Sequence, residues 1–356
     1  VAIGQNTMDA LTSGACNVAL GINALGAATD NNDNIAIGRS ALAASVNDGD
    51  NNIAIGLTAM GAGDVSGSNN IALGTTAMDA LTTGGNNVAI GTSALGAATT
   101  GNDNIAIGQN TADALLGGAC NIAIGIDAYG TAAAGTNSIA IGNAAMGGSL
   151  VTGGDNIAIG YASGDALLGG HTNVAMGVNA LGAMTIGIRN IAIGDGAMAG
   201  ITVEQTDNNI AIGEKALCGS VDTTGDANIA IGSCSMDIIT TGSNNIAMGL
   251  ASMGAATTGA NNIALGNTSL GTGTLTGGCN VAIGFQAADA VCTGHTNVAI
   301  GMHAYGAATT GCYNIAIGDS AICAVVARGG SGQAEHNIGI GIYATGSVTS
   351  GGCNIG

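Results

Sequence analysis

Asn104-Ile105-Ala106-Ile107-Gly108 is one copy of a five-residue word that returns, with small variations, along the whole chain. Its Asn falls at 17, 34, 52, 70, 87, 104, 121, 156, 173, 190, 209, 228, 245, 262, 280, 297, 314 and 337, and Ser138 takes the one missing slot. That makes 18 Asn plus one Ser, or 19 complete copies. The spacing is mostly 17 residues, sometimes 18, with 19 twice between Asn190 and Asn228 and 23 once before Asn337. A fixed period of this size marks a solenoid, whose single unit cannot bury its own face and needs neighbours above and below. The expectation is one repeat solenoid over residues 1–356, with irregular coils at 190–228 and 318–337.

Columns of the repeat are counted here from the Asn as column one. In the coil that begins at Asn87, Val88 and Ile90 are two apart and share one face of an extended strand, while Ala89 points to the other. Gly91 permits a sharp turn that a β-carbon would forbid. A second short extended piece is expected at Ala94 and Leu95, ending in the Thr99-Thr100-Gly101 turn. Glycine density and β-branched alternation exclude a helix. The reading is all-β: a parallel β-solenoid of about 17 residues per coil with two short strands per coil.

Column three is Ala in 18 of the 19 copies, Gly339 being the exception. A solvent-facing strand position would drift among Thr, Lys, Ser and Glu, so both faces of the strand are expected to be packed. The Ala face is then assigned to identical chains around a threefold axis, which makes the molecule a homotrimeric rod. The Asn column is expected to stack its amides at about 4.8 Å from coil to coil. Column eight holds Ala, Ser or Thr (Ala24, Ala94, Ser163, Ser252), and column nine holds Leu, Met or Tyr (Leu25, Met60, Tyr129), plugging the coil or a seam between chains. Variable positions after the Gly (Arg39, Gln109, Glu214, Lys215, Phe285, Asp319) read as an outer surface. Extra residues at 201–205 and 328–333 read as looped out.

Composition narrows the function. The chain has 65 Gly, no Pro, no Trp and six aromatic residues, so thin layers of aliphatic side chains must do the packing. Formal charge is −18, from 22 acids against Arg39, Arg189, Lys215 and Arg328. No basic patch exists, which disfavours nucleic acid and anionic lipid headgroups as partners. Every apolar run is broken well before the roughly 18 residues that a membrane helix needs. The chain opens at Val1-Ala2-Ile3-Gly4 and stops at Asn354-Ile355-Gly356, each inside a repeat, so an excerpt of a longer fibre protein is expected. Nine cysteines without CxxC spacing (Cys16, Cys120, Cys218, Cys234, Cys279, Cys292, Cys312, Cys323, Cys353) read as buried apolar thiols, with no disulfide framework.

The word, its Ile-Gly or Leu-Gly turn and the Ala-Leu that follows resemble the head repeat of trimeric autotransporter adhesins. They are still more similar to Asn-rich repeats of this length in tail and surface fibres of phages and large viruses. The resemblance covers essentially the whole chain and implies a left-handed parallel β-roll, three chains side by side, in an extracellular or virion-surface fibre. The repeat here is about three residues longer than the adhesin one, and the nine cysteines are unlike exported adhesins. Ile37-Gly38-Arg39-Ser40-Ala41-Leu42 and Ile317-Gly318-Asp319-Ser320-Ala321-Ile322 also fit the hexapeptide pattern of left-handed β-helix acyltransferases, but only one hexad per coil does so.

Chemistry-bearing residues are sparse. His295 and Cys312 share a column in adjacent coils, the other histidines being His171, His303 and His336. No Ser-His-Asp set or carboxylate pair recurs at a usable spacing, and the column-ten acids (Asp79, Asp113, Asp165, Asp237, Asp289) read as a solvated face. Gly153-Gly154-Asp155 lacks the period of calcium-binding nonapeptides. Thr pairs such as Thr82-Thr83 and Thr240-Thr241 raise an ice-binding surface, but Leu116, Ala133, Leu150, Leu168 and Cys292 interrupt the rank. No catalytic, cofactor-binding or metal residue is assigned. The expected function is the structural and adhesive shaft of a homotrimeric viral or phage fibre presenting a host-binding tip. The alternatives are a bacterial cell-surface adhesin and, in another class, an ice-binding solenoid.

Overall fold

The computed structural model describes residues 1–46, 49–148, 150–202, 206–219, 225–306, 309–322, 335–345 and 352–356. It is a parallel β-solenoid with no helix among the described residues. Chain contacts divide it into two compact units, Val1–Asn173 and Val174–Gly356. The first carries the strands from Ala2–Ile3 to Ile157–Ile159, the second those from Val174–Met176 to Ile338–Ile340. Nearly every strand is columns two to four of the word, as in Ile105–Ile107. Within each unit consecutive strands pair in parallel, like residue opposite like: Ile105 faces Ile122, Ala106 faces Ala123 and Ile107 faces Ile124.

Three local devices turn this short strand into a closed coil. The first is the Asn column. The backbone N–H of Asn104 donates to Oδ1 of Asn87 (3.0 Å), and its Nδ2 donates to the same oxygen (3.1 Å) and to the Gly118 carbonyl (2.9 Å). The next rung repeats the scheme, from Asn121 to Asn104 and Gly135. These side chains are essentially buried, so the ladder satisfies groups that water cannot reach. The second device is the column-five Gly. At Gly108 φ is +138°, and a β-carbon there would sit 2.5 Å from the carbonyl oxygen of Gly125 in the next coil. Only Gly fits such a close approach at such a φ.

The third device corrects the expectation of a second strand. Columns six to eleven are a run of tight turns with alternating left-handed residues: Asn110 has φ 52° and Ala112 has φ 51°. A third left-handed residue, Cys120 (φ 59°), leads into the next Asn. Each coil therefore contains one strand and a continuous turn. Alternating left-handed residues reverse the chain in tight turns, so the return to the next rung is made by turns instead of a second extended segment.

The direction of the Ala column is also the reverse of the sequence reading. Ala106 is fully buried inside its own coil, as are Ala89, Ala158, Ala192 and Ala316, whereas the flanking Ile residues point outward. Across the interior the strand meets columns nine and twelve. A β-carbon at Gly164 (column nine) would lie 3.0 Å from Cδ1 of Leu167 (column twelve) and 3.5 Å from Cβ of Ala158. Leu, Met, Tyr and Ile from those two columns fill the coil, which leaves room for only a methyl group opposite them. Column nine thus plugs its own coil. In some coils it trades volume with column twelve (Leu95 with Ala98, Ala112 with Leu115, Tyr129 with Ala132), and in others both are large, as Met78 with Leu81 and Leu181 with Met184, all buried.

Irregular coils leave the strand register untouched. Ile191 pairs with Ile210 across a 19-residue coil, and Ile315 with Ile338 across the 23-residue one. Of the extra residues, Ile201 is buried inside its coil, contrary to the looped-out expectation, and Thr202 is exposed. Residues 203–205 and 328–333 lie outside the described residues.

Candidate functional site

Because Ala occupies the inside of the strand, columns two and four are left on the outside. Each unit presents two adjacent ranks of Ile, Val, Leu and Met on one flat parallel sheet. Column four stays about 37% exposed over much of its length, as at Ile90, Ile107, Ile193, Ile212, Ile300 and Ile317, and column two is mostly half-buried by its own neighbours. Column six borders the face with a mixture: Ile22, Leu57, Ile126, Tyr161, Val178, Leu250, Phe285 and Met302 are exposed there, and so are Arg39, Asp195 and Glu214. No charged residue occurs in any strand. Arg39, Glu214 and Lys215 stand in the columns beyond the glycine, exposed as the sequence predicts, with Asp319 half-buried among them. An uninterrupted apolar stripe of this kind exceeds the patch that a typical soluble monomer leaves bare.

The turn side of the coil is mixed, with Leu116, Leu150, Leu168 and Ile238 exposed beside its polar residues. An open groove there is lined by Asn110, Asp113, Asp127, Gly130, Thr131 and Gly147. The column-ten acids are half-buried, Asp113 in this groove, against the expectation of a solvated face. Burial pushes the Asp113 carboxyl above its usual range, the Gly96 N–H pulls it back, and the nearby Asp127 raises it again. Burial likewise raises Asp237, opposed by Lys215, and Asp289, opposed by the Thr272 hydroxyl and His303. Two of the carboxylates lean over glycine in the preceding coil: a β-carbon at Gly96 would collide with Asp113 and one at Gly148 with Asp165.

The cysteines divide differently from expectation. Cys16, Cys120, Cys279 and Cys353 are exposed, Cys218, Cys234 and Cys292 are intermediate, and Cys312 alone among the described thiols is buried; Cys323 lies outside the described residues. The exposed four stand just before the Asn, and since the Asn points in, its predecessor points out. All the described cysteines are free. His295 is exposed and meets the edge of Tyr313 (5.2 Å between ring centroids), which stacks on His336 at 5.0 Å; Cys312 turns to the Thr310 carbonyl instead of His295. Among the described residues no three His, Cys, Asp or Glu side chains gather as metal ligands. The Thr hydroxyls of the turns are engaged within the protein, as when Thr82 donates to the Thr99 carbonyl at 2.8 Å and Thr240 to that of Thr257 at 2.9 Å.

Searches with protein-family models and of curated proteins return no match to this chain. The molecule is defined by its fold, a parallel β-solenoid, and by one outward aliphatic face. Sequence reasoning found the two faces of the strand but assigned them the wrong way round. The available signal was the residue volume of columns nine and twelve, which already fills a 17-residue coil.

Proposed function

We propose that this chain is shaft material of a homotrimeric extracellular fibre, of the viral or phage surface type, that holds a host-binding tip away from its particle. The part is structural and adhesive, not enzymatic, and a bacterial cell-surface adhesin is the same mechanical role on another surface. The observation that carries the reading is the repetition of one bonding scheme: each coil is tied to the next by the strand ladder, the Asn ladder and the stacked column-five glycines. Shear must break many parallel hydrogen bonds together in such a stack, which suits a stiff spacer. The Asn ladder is shielded from water, and no proline interrupts the pairing.

The test is the mass of the purified chain by light scattering. A trimer of 33.6 kDa chains gives 3 × 33.6, or about 101 kDa. A stable particle of that mass, elongated in electron micrographs, is the expected result. A monomer at tens of micromolar would overturn the trimeric fibre.

A further inference from the structure

We infer that the outward face of columns two and four is where copies of this chain meet, parallel and in register; this rests on the trimeric fibre reading and names its interface. Two observations point to a second copy as the occupant. The first is area. Ten strands per unit offer about twenty outward aliphatic side chains; at roughly 60 Å² of exposed surface each, one unit presents on the order of 1,200 Å². A stable protein–protein contact takes about 800 Å² from each partner; around a threefold axis each copy meets two others, so one unit gives about 600 Å² per contact and the chain's two units together about 1,200 Å².

The second observation is the lattice. Spacing in the sequence runs from 17 to 23 residues, yet the strands pair without a slip within each unit. All length variation is expelled to the turn side, and the face keeps one step per coil. A surface so strictly periodic along the coil axis is matched over its length by an object with the same step, and another copy of the chain has it. Around a threefold axis parallel to the coil axis, every rung meets its own counterpart at the same height. The net charge of −18 per chain, or −54 for three, opposes association, and the strands that would meet contain none of it.

The test uses the full chain with four substitutions in consecutive coils of column four: Ile90→Lys, Ile107→Glu, Ile124→Lys and Ile141→Glu. Within one chain the alternating signs attract and net charge stays at −18. Between parallel, in-register copies each charge meets its like. The expected result is a rise of about 100-fold or more in the dissociation constant, with the β circular dichroism retained. Mixing with the sign-reversed quadruple variant should recover association in part, because a mixed trimer replaces two of its three like-charged contacts with opposite-charged ones and keeps one. The neutral set Ile→Thr at the same four positions should weaken it less, and it takes over the test if the charged set fails to fold. A wild-type mass in all variants would overturn the interface and leave the trimeric fibre standing. Monomeric wild-type chain would overturn both. Thermal hysteresis from a monomer, abolished by the same substitutions, would overturn both in favour of ice as the occupant.

Discussion

Ser138 stands where the other copies of the word carry Asn, beside a tyrosine that fills the preceding coil. Tyr129, nine residues earlier, reaches across the coil so far that a β-carbon at Gly135 would collide with its hydroxyl. That hydroxyl is buried without a well-formed hydrogen bond; burial pushes its pKa up to about 12, with the Ser138 hydroxyl opposing. The ladder is looser here, since the Asn156 N–H reaches Ser138 Oγ at 3.3 Å where Asn rungs inside the stack show 2.8–3.0 Å. Tyr305 and Asn314 show the alternative: the same nine-residue offset, with Nδ2 of Asn314 donating to the Tyr305 hydroxyl at 2.8 Å. We therefore expect Ser138→Asn to stabilise the fold by about 1 kcal/mol in chemical denaturation, by giving a buried phenol its partner. A loss of stability would show that Tyr129 leaves no room for the amide.

The left-handed residue before each Asn gives a second prediction at this scale. Asn208 (φ 60°) and Asn244 (φ 59°) suit that conformation, whereas Ala227 between them holds φ 55° with a bare methyl. The position is exposed, so little packing is at stake. Left-handed backbone costs an ordinary residue about 1–2 kcal/mol, and Asn much less. Ala227→Asn should raise the thermal midpoint; no change would mean that the neighbouring coils, not the residue, set that φ.

At the scale of the coil, everything turns on one glycine. Gly108→Ala must either accept φ +138° or push its methyl into the Gly125 carbonyl, and Thr111 Oγ1 would lie only 2.6 Å away. A cost of roughly 3 kcal/mol or more is expected, with local fraying read by amide exchange in the coils of Asn104 and Asn121. Unchanged protection there would mean that the turn can be rebuilt without glycine. The Thr hydroxyls of the turn work the other way. Their bonds to the next coil are solvent-exposed or partly so, and Thr99→Val should cost under about 1 kcal/mol.

For the whole molecule, pH is the most direct probe. Asp113, Asp237 and Asp289 have folded pKa values raised above the unfolded value of 3.8, mainly by burial. Between the unfolded and folded values the folded chain binds more protons, so stability grows as pH falls through the folded pKa and declines as pH rises through it. The general repulsion of a −18 chain acts in the same direction. Thermal midpoints should therefore climb on acidification from pH 7 towards about 4. The triple change Asp113→Asn, Asp237→Asn, Asp289→Asn should flatten that slope and raise the midpoint at neutral pH. A steeper slope in the variant would reverse the assignment of burial as the dominant cause.

The repeat word by itself determined the fold class, the coil length and the Asn ladder. A period of 17 with a short alternating strand and obligatory glycine has few other solutions, and the amide stack follows from placing one Asn over the next. It also determined that columns three and eight are small. What lay beyond it was direction. Alternation in a three-residue strand has two faces and no sign, and Ala is as good a residue for a tight interior as for a close contact between chains. Only the closed coil decided, because Leu, Met and Tyr from the turn side occupy the interior and leave the strand a methyl's depth. The same closure turned the isoleucines outward, and left-handed turns at columns seven and nine stand where a second strand was expected.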